Sequence, residues 1–352
     1  MAYTDIDDPS AYFQTLLYTG NGANDRALVN DGNSDLQPDF VWFKERNSTS
    51  VHQLLNSSTG VNKALSSNDD GAEETYAYLS SFDSDGFTFD QSDGSTNESS
   101  NTFVAWQWKA NGGTATATIS ESGNNPAAVV QANPTAGFSI ISYTGTGASG
   151  TIAHGLGATP EMYWIKNRDS STPFEVFTSV ITSGENSVLA LNTTAAKVDS
   201  GVTLPTSTNI TVTSGINQNQ DGQKYIMYVF KNIQGYSKIG KYVGNGSTNG
   251  TFVYTGFEPA WIMVKLSSAA GNSWQIVDNK RNPLNTGNGK RIFPNNTNAE
   301  SSSDSEGFDF LSNGFKLRNG SGGGNTNAAT YIYMAFAESP FVSSEGVPTT
   351  AR

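Results

Sequence analysis

Along the chain, short blocks of large apolar residues alternate with longer stretches of Ser, Thr, Asn and Gly. One block is written three times: Pro38-Asp39-Phe40-Val41-Trp42-Phe43-Lys44, Pro160-Glu161-Met162-Tyr163-Trp164-Ile165-Lys166 and Pro259-Ala260-Trp261-Ile262-Met263-Val264-Lys265. Proline cannot donate to a β-ladder, so it marks where a strand begins. Four consecutive large residues without polar alternation predict a strand covered on both faces. The lysine is expected to lay its stem on apolar surface and carry its ammonium to water, which ends the buried run.

Further strands surround each copy in the same order. An opening strand with a tyrosine runs into Gly20-Asn21-Gly22, Gly145-Thr146-Gly147 or Gly244-Asn245-Gly246. After the proline-led strand comes an alternating one (Val51–Leu55, Phe174–Phe177, Trp274–Asp278), as on a sheet with one wet face. A strand ending at Asn68, Asn192 or Asn295 follows, and then a Gly-Phe strand (Gly86-Phe87, Gly314-Phe315) that the middle copy replaces with Asn209–Thr213. Each copy closes on its most apolar strand: Phe103–Trp108, Tyr225–Phe230 and Tyr331–Phe336.

Motifs recurring in fixed order are the signature of an internal repeat. The pattern predicts an all-β chain of three tandem, related β-sandwich or jelly-roll-like units of about 95 residues, a size at which each holds its own core. Their bounds are 13–109, 138–232 and 238–341. Residues 110–137, which begin Gly112-Gly113 and carry Asn133-Pro134, read as a linker with at most one edge strand. The short connection from Asn232 to Lys238 predicts that units two and three form a rigid pair. Residues 1–12 read as an arm that ties down the first unit or contacts a neighbour, with a disordered tail as the alternative. Residues 342–352 read as an extended polar tail.

Composition agrees with short strands and tight turns. Only 15% of residues are charged and 36 are glycine, whereas helices usually expose Lys and Glu. The 19 Phe, 14 Tyr and 6 Trp available for burial argue against disorder. A net charge of −12 argues against nucleic acid or an anionic membrane as partner. Absence of cysteine removes disulfides, thiolate chemistry and zinc–cysteine sites. The beginning of the sequence lacks the pattern of a secretion signal, and no apolar run approaches the roughly 20 residues of a membrane helix.

Candidate chemistry is thin. His52 and His154 lie in different units, and His154 is expected to be a turn residue bonded to backbone rather than a base or ligand. The Gly-x-Gly turns could cradle phosphate only before a helix, and β signals follow instead. Asp83-Ser84-Asp85-Gly86 and Asp304-Ser305-Glu306-Gly307 resemble the start of a calcium loop, but Ser92 and Asn313 stand where its closing acid belongs. Asx-type turns are the expected reading. Trp42, Trp164, Trp261, Trp106 and Trp108 stand on apolar strands and are expected in the core, not stacked on sugars. Recognition, if any, is expected on polar loops such as 92–101 and 318–328. No catalytic, cofactor-binding or metal-binding residues are assigned, and the chain reads as a non-enzyme.

Asp8-Pro9-Ser10-Ala11-Tyr12-Phe13-Gln14, Tyr18-Thr19-Gly20-Asn21-Gly22, Phe82-Asp83-Ser84-Asp85-Gly86-Phe87, Gly235-Tyr236-Ser237-Lys238, Tyr254-Thr255-Gly256-Phe257 and Tyr331–Glu338 resemble repeats in virion proteins of tailed phages, marine cyanophages and their relatives among them. The resemblance runs from Asp8 to Arg352, and the middle unit departs most, lacking the Asp-Gly-Phe element. It implies a virion structural protein assembled in the host cytoplasm, a tail fibre or host-adhesion component without catalytic residues. A capsid-exterior decoration protein or head fibre is the alternative, and a glycan-cleaving tailspike a third. The implied partners are other virion proteins and a host surface glycan or protein. Either the three units imitate a trimer within one chain, or the chain forms a homotrimer.

Overall fold

The computed structural model describes residues 2–349, apart from positions 92, 183, 283, 284, 286–288, 304–306, 321 and 322. Regular structure among them is β, except for a 3-10 turn over Pro9–Ala11, where the Asp8 carboxylate accepts the Ser10 N–H. The chain is all-β, and among the described residues every strand pairing is antiparallel.

Three large sheets share one strand order: opening, closing, proline-led, second. The first places Phe13–Thr19, Thr102–Trp108, Phe40–Glu45 and Gln53–Asn56 side by side. The second does so with Phe138–Thr144, Lys224–Phe230, Met162–Asn167 and Glu175–Thr178, and the third with Ser237–Val243, Thr330–Pro340, Phe257–Leu266 and Gln275–Asp278. A small sheet accompanies each: Gly86–Phe89 with its neighbours, Gly150–Ala153 with Asn209–Val212, and Gly314–Leu317 with its neighbours.

Alternation along the proline-led strands explains why they read as apolar throughout. Val41 and Phe43 face their own small sheet and meet Phe87 and Phe89, while Phe40 and Trp42 face the other way. Tyr163 and Ile165 likewise join Ile152, Ile210 and Val212, leaving Met162 and Trp164 on the opposite face. Those opposite faces do not end in separate interiors. They meet in one aromatic core, with Trp42 6.0 Å from Trp164, Trp108 5.6 Å from Trp261 and Phe230 6.3 Å from Phe336. Units one and two each keep an apolar cluster of their own, so the expectation of separate cores is corrected in one respect: the largest apolar cluster belongs to all three sheets. Each fully buried aromatic is worth roughly 1.5–3 kcal/mol, so no sheet leaves this core without a large loss.

The three units close into a ring through equivalent backbone bonds. Glu73 N–H donates to Arg168 O at 2.8 Å, Lys197 N–H to Ser267 O at 2.9 Å and Glu300 N–H to Arg46 O at 2.7 Å. Beside each, Thr172 N–H reaches Asp70 O (2.8 Å), Gly271 N–H reaches Thr194 O (3.0 Å) and Ser50 N–H reaches Thr297 O (3.0 Å). The second unit thus hooks onto the first, the third onto the second and the first onto the third.

Segments outside the units are less independent than their composition predicts. The arm does not tie down the first unit alone: Tyr3 Oη donates to Gly256 O at 2.7 Å, Thr4 Oγ1 to Gln234 O at 2.8 Å, and Ile6 is buried in the shared core. Residues 110–137 supply two strands, Ala117–Ile119 and Ala128–Asn133, that extend the second large sheet, rather than a linker. Ala128, Val130 and Ala132 are buried there, an alternation short enough to miss. The tail turns back instead of extending, with Val342 bridged to Pro348 and Ser344 held by the Asp7 carboxylate. Positions 350–352 lie outside the described residues.

Candidate functional site

The repeated lysines do not reach water. Lys44, Lys166 and Lys265 are all fully buried. Lys166 Nζ donates to Thr172 O at 2.9 Å and across the junction to Asp70 O at 3.1 Å. Lys265 Nζ donates to Leu266 O at 2.8 Å and across to Thr194 O at 3.4 Å, and Lys44 Nζ to Glu45 O at 2.6 Å. The snorkelling expectation fails because loops of the same and the neighbouring unit supply carbonyls before solvent is reached. Burial pushes each ammonium down from its ordinary 10.5 to about 8.

Both histidines are spent on structure. His52 Nδ1 accepts the Trp42 indole N–H at 2.8 Å, which leaves Nε2–H to face Phe293 O of the third unit at 3.1 Å. Burial, with Lys44 nearby, holds its imidazole well below the ordinary range. His154 Nδ1 accepts the Leu156 N–H, its Nε2 faces Thr206 O at 3.3 Å, and burial lowers it too. Trp164 occupies the place of Trp42 in the second unit, but Phe174 stands where His52 does, and among the described residues the Trp164 indole N–H has no acceptor.

The Gly-x-Gly turns hold a buried asparagine, not a phosphate. Gly22, Gly147 and Gly246 donate their N–H to the carbonyls of Asn97, Asn219 and Asn325, each at 2.9 Å. The asparagine amides return bonds to the same turns, as Asn325 does to Asn245 Oδ1 and Ser247 O. A Cβ at Gly20, Gly145 or Gly244 would lie about 2 Å from the backbone carbonyl of the facing loop, at Glu98, Gln220 or Thr326. Only glycine fits so close an approach. Loops 92–101 and 318–328, where recognition is expected, are thus anchored at Asn97 and Asn325. The signal for these asparagines is their constant place six residues before the first aromatic of each closing strand.

Among the acidic turns, Asp83 accepts from Ser81 Oγ and Thr88 Oγ1, and Asp85 from the Leu36 N–H, so both carboxylates brace a hairpin. Gly86 in that turn has φ 102°. The turn at 304–306 lies outside the described residues. Among the described residues, no three His, Asp or Glu side chains converge as a metal site would need. Trp42, Trp106, Trp108, Trp164 and Trp261 are all fully buried.

A charged network at the junction of units three and one is not legible in the sequence. Asp278 Oδ2 accepts the Trp106 indole N–H at 3.0 Å and Arg281 Nε at 2.6 Å. Arg281 continues to Glu300 at 3.2 Å, and Arg46 grips Glu300 with two bonds. Burial alone would raise the Glu300 carboxyl, but Arg46 and Arg281 outweigh it and hold it below the ordinary range.

At the same junction lies a cleft of about 240 Å³, bounded by Thr15, Asp31 and Asn33 of unit one and by Ala260, Asn279, Lys280 and Glu338 of unit three. Lys280 Nζ is 3.1 Å from Asp31 Oδ1, and Asn279 Nδ2 donates to Glu338 Oε2 at 2.9 Å. Thr15 Oγ1 and Asn279 Oδ1 are buried and have no hydrogen-bond partner among the described residues.

A family model described as a domain of unknown function (DUF7483) matches residues 8–340, a span that takes in all three units. No curated protein matches the chain.

Proposed function

We propose that this chain, which belongs to the DUF7483 family, is a non-enzymatic structural protein of a tailed-phage virion, a tail-fibre or host-adhesion component on the particle surface. The observation that carries this reading is the closed ring of three junctions in which the potentially reactive groups are consumed by the scaffold. Both histidines, the three buried lysines and the paired acids of the Asp83 turn hold backbone or neighbouring side chains. Such a body is built to persist and to present its polar loops, which suits a virion exterior exposed outside the cell. The chain carries a net charge of −12, which resists self-association.

A second reading, a capsid-exterior decoration protein or head fibre, is favoured by the ring itself. Three equivalent junctions within one chain imitate a trimer and would match a threefold attachment point. Quantitative mass spectrometry of purified virions of the phage that encodes this chain tests both readings. A fibre is expected in tens of copies per particle and a decoration protein in hundreds. Absence from the particle would overturn both. A glycan-cleaving tailspike would release reducing ends from host polysaccharide, and no release is expected.

A further inference from the structure

The near-threefold repetition makes one sheet face of unit three stand out. Each small sheet pairs two strands in the same register, Leu28 with Phe87, Ile152 with Ile210 and Val253 with Phe315, and these residues turn inward to apolar clusters. Side chains alternate across a strand, so the residues on either side point outward. In unit one they are Ala27 and Val29, in unit two Thr151 and Ala153, and in unit three Phe252 and Tyr254. The partner opposite the first of each pair changes as well: Thr88 and Thr211 in units one and two, Lys316 in unit three. Small side chains are thus replaced, on one face of one unit, by two aromatic rings and an ammonium.

These groups are open to a ligand. Phe252 is 45% exposed and Tyr254 54%, and the two stand about 7 Å apart along the strand. A Cβ at Gly314 would lie 3.1 Å from Phe252 Cε2, so this ring leans on the bare glycine and turns its other side to water. Tyr254 is steadied by the arm: its Oη lies 3.4 Å from Tyr3 Oη, which donates to Gly256 O. Rings already held in place lose little freedom when a ligand is bound. Lys316 stands half-buried between Phe252 and Asp309. Asp309 is taken by Arg318 Nε, and among the described residues no acceptor holds the Lys316 ammonium.

Size and charge select the occupant. At these exposures the two rings offer roughly 200 Å². A stable protein interface takes about 800 Å² from each partner, so the face suits a small group rather than a second copy or a folded protein. The face of an aromatic ring is negative and attracts polarised C–H groups, of which the flat side of a pyranose carries several. Lys316 and Arg318 against Asp309 leave one net positive charge on this face among the described residues, which favours a carboxylate. The whole chain, at −12, repels a densely charged polymer, which limits the ligand to sparse charge.

We infer that Phe252, Tyr254 and Lys316 bind an acidic saccharide, with a uronic acid ring stacked on the aromatics and its carboxylate on the ammonium. The inference deepens the host-adhesion reading and rests on it for the source of the sugar, a bacterial surface polysaccharide.

The test titrates the purified full chain by saturation-transfer NMR with a trisaccharide carrying one glucuronic acid and with its neutral glucose counterpart. The acidic sugar is expected to bind about two- to fivefold more tightly, the worth of one exposed ion pair. Phe252→Thr and Lys316→Thr install the residues that unit two carries at the same places, Thr151 and Thr211, and circular dichroism checks that both fold. Phe252→Thr is expected to weaken both sugars about tenfold through the lost stacking. Lys316→Thr is expected to abolish the preference and leave the neutral sugar unchanged, which a merely structural role would not do. Should Phe252→Thr not fold, Tyr254→Ala, the residue of Ala153, is expected to weaken both sugars in the same assay. Four results would overturn the site: no acidic sugar bound at millimolar concentration, the neutral sugar bound as tightly, affinities unchanged in the folded variants, or sedimentation showing a dimer that Phe252→Thr dissociates, which would place a second copy on this face. None of these alters copy number in virions, so failure of the site and failure of the virion reading are distinguishable.

Discussion

Arg46 and Glu300, 254 residues apart, hold each other from both ends. The Glu300 N–H donates to the Arg46 carbonyl at 2.7 Å, and the Arg46 guanidinium returns two bonds to the Glu300 carboxylate at 2.9 and 3.0 Å. Arg168 and Glu73 repeat the arrangement between units two and one. At the remaining junction, Ser267 and Lys197 keep only the backbone bond. The ring is closed by the same local geometry each time, with different side chains reinforcing it.

Removing one partner of such a bidentate, largely buried pair leaves a charge behind. Arg46→Ala is expected to lower stability by about 1.5–3 kcal/mol, measured as a fall in the urea midpoint at pH 7. Because Arg46 helps hold the Glu300 carboxyl below its ordinary value, this contribution is present at neutral pH and is lost as pH falls through that depressed value. The variant should therefore lose less stability than the parent between pH 7 and pH 3.

The buried lysines act in the opposite pH range. Each ammonium releases its proton near pH 8 in the folded chain, but near 10.5 when unfolded. Between those values the unfolded chain binds more protons, so stability rises with pH. Buried tyrosines such as Tyr228, pushed above their ordinary 10, oppose this once unfolded tyrosines ionise. The rise is thus readable between about pH 8 and pH 10. Lys166→Met should remove about one third of it, leaving the shares of Lys44 and Lys265, as urea midpoints across that window would show.

The N-terminal arm is part of the core. Ile6→Ala is expected to cost about 2–5 kcal/mol, in contrast to the near-zero effect of a substitution in a disordered tail. Thermal unfolding followed by circular dichroism distinguishes the two.

Asn219 Nδ2 donates to Thr146 Oγ1, and its Oδ1 accepts the Thr146 N–H at 3.0 Å. Asn219→Ala leaves buried turn groups unpaired and is expected to destabilise by about 1–3 kcal/mol. Hydrogen exchange should show Thr146 and Gly147 losing protection first.

Much of the fold was legible because its strands announce themselves. The Pro38, Pro160 and Pro259 blocks and the closing aromatic strands all lie where the repeat places them. Closure into a ring was not legible, since the contacts that make it are backbone bonds such as Glu73 to Arg168, which carry no side-chain signature. The lysine ending each block looked like a solvent marker, and only the position of loops such as 70–73 shows that it is not. The strand Ala128–Asn133 was hidden by the Gly- and Asn-rich residues around it.

One body around one shared core should unfold as one. Differential scanning calorimetry of the intact chain is the most direct measurement, and it is expected to give a single transition whose calorimetric and van't Hoff enthalpies agree. Two or three resolved transitions, or a calorimetric enthalpy severalfold above the van't Hoff value, would show units melting independently and would contradict the ring.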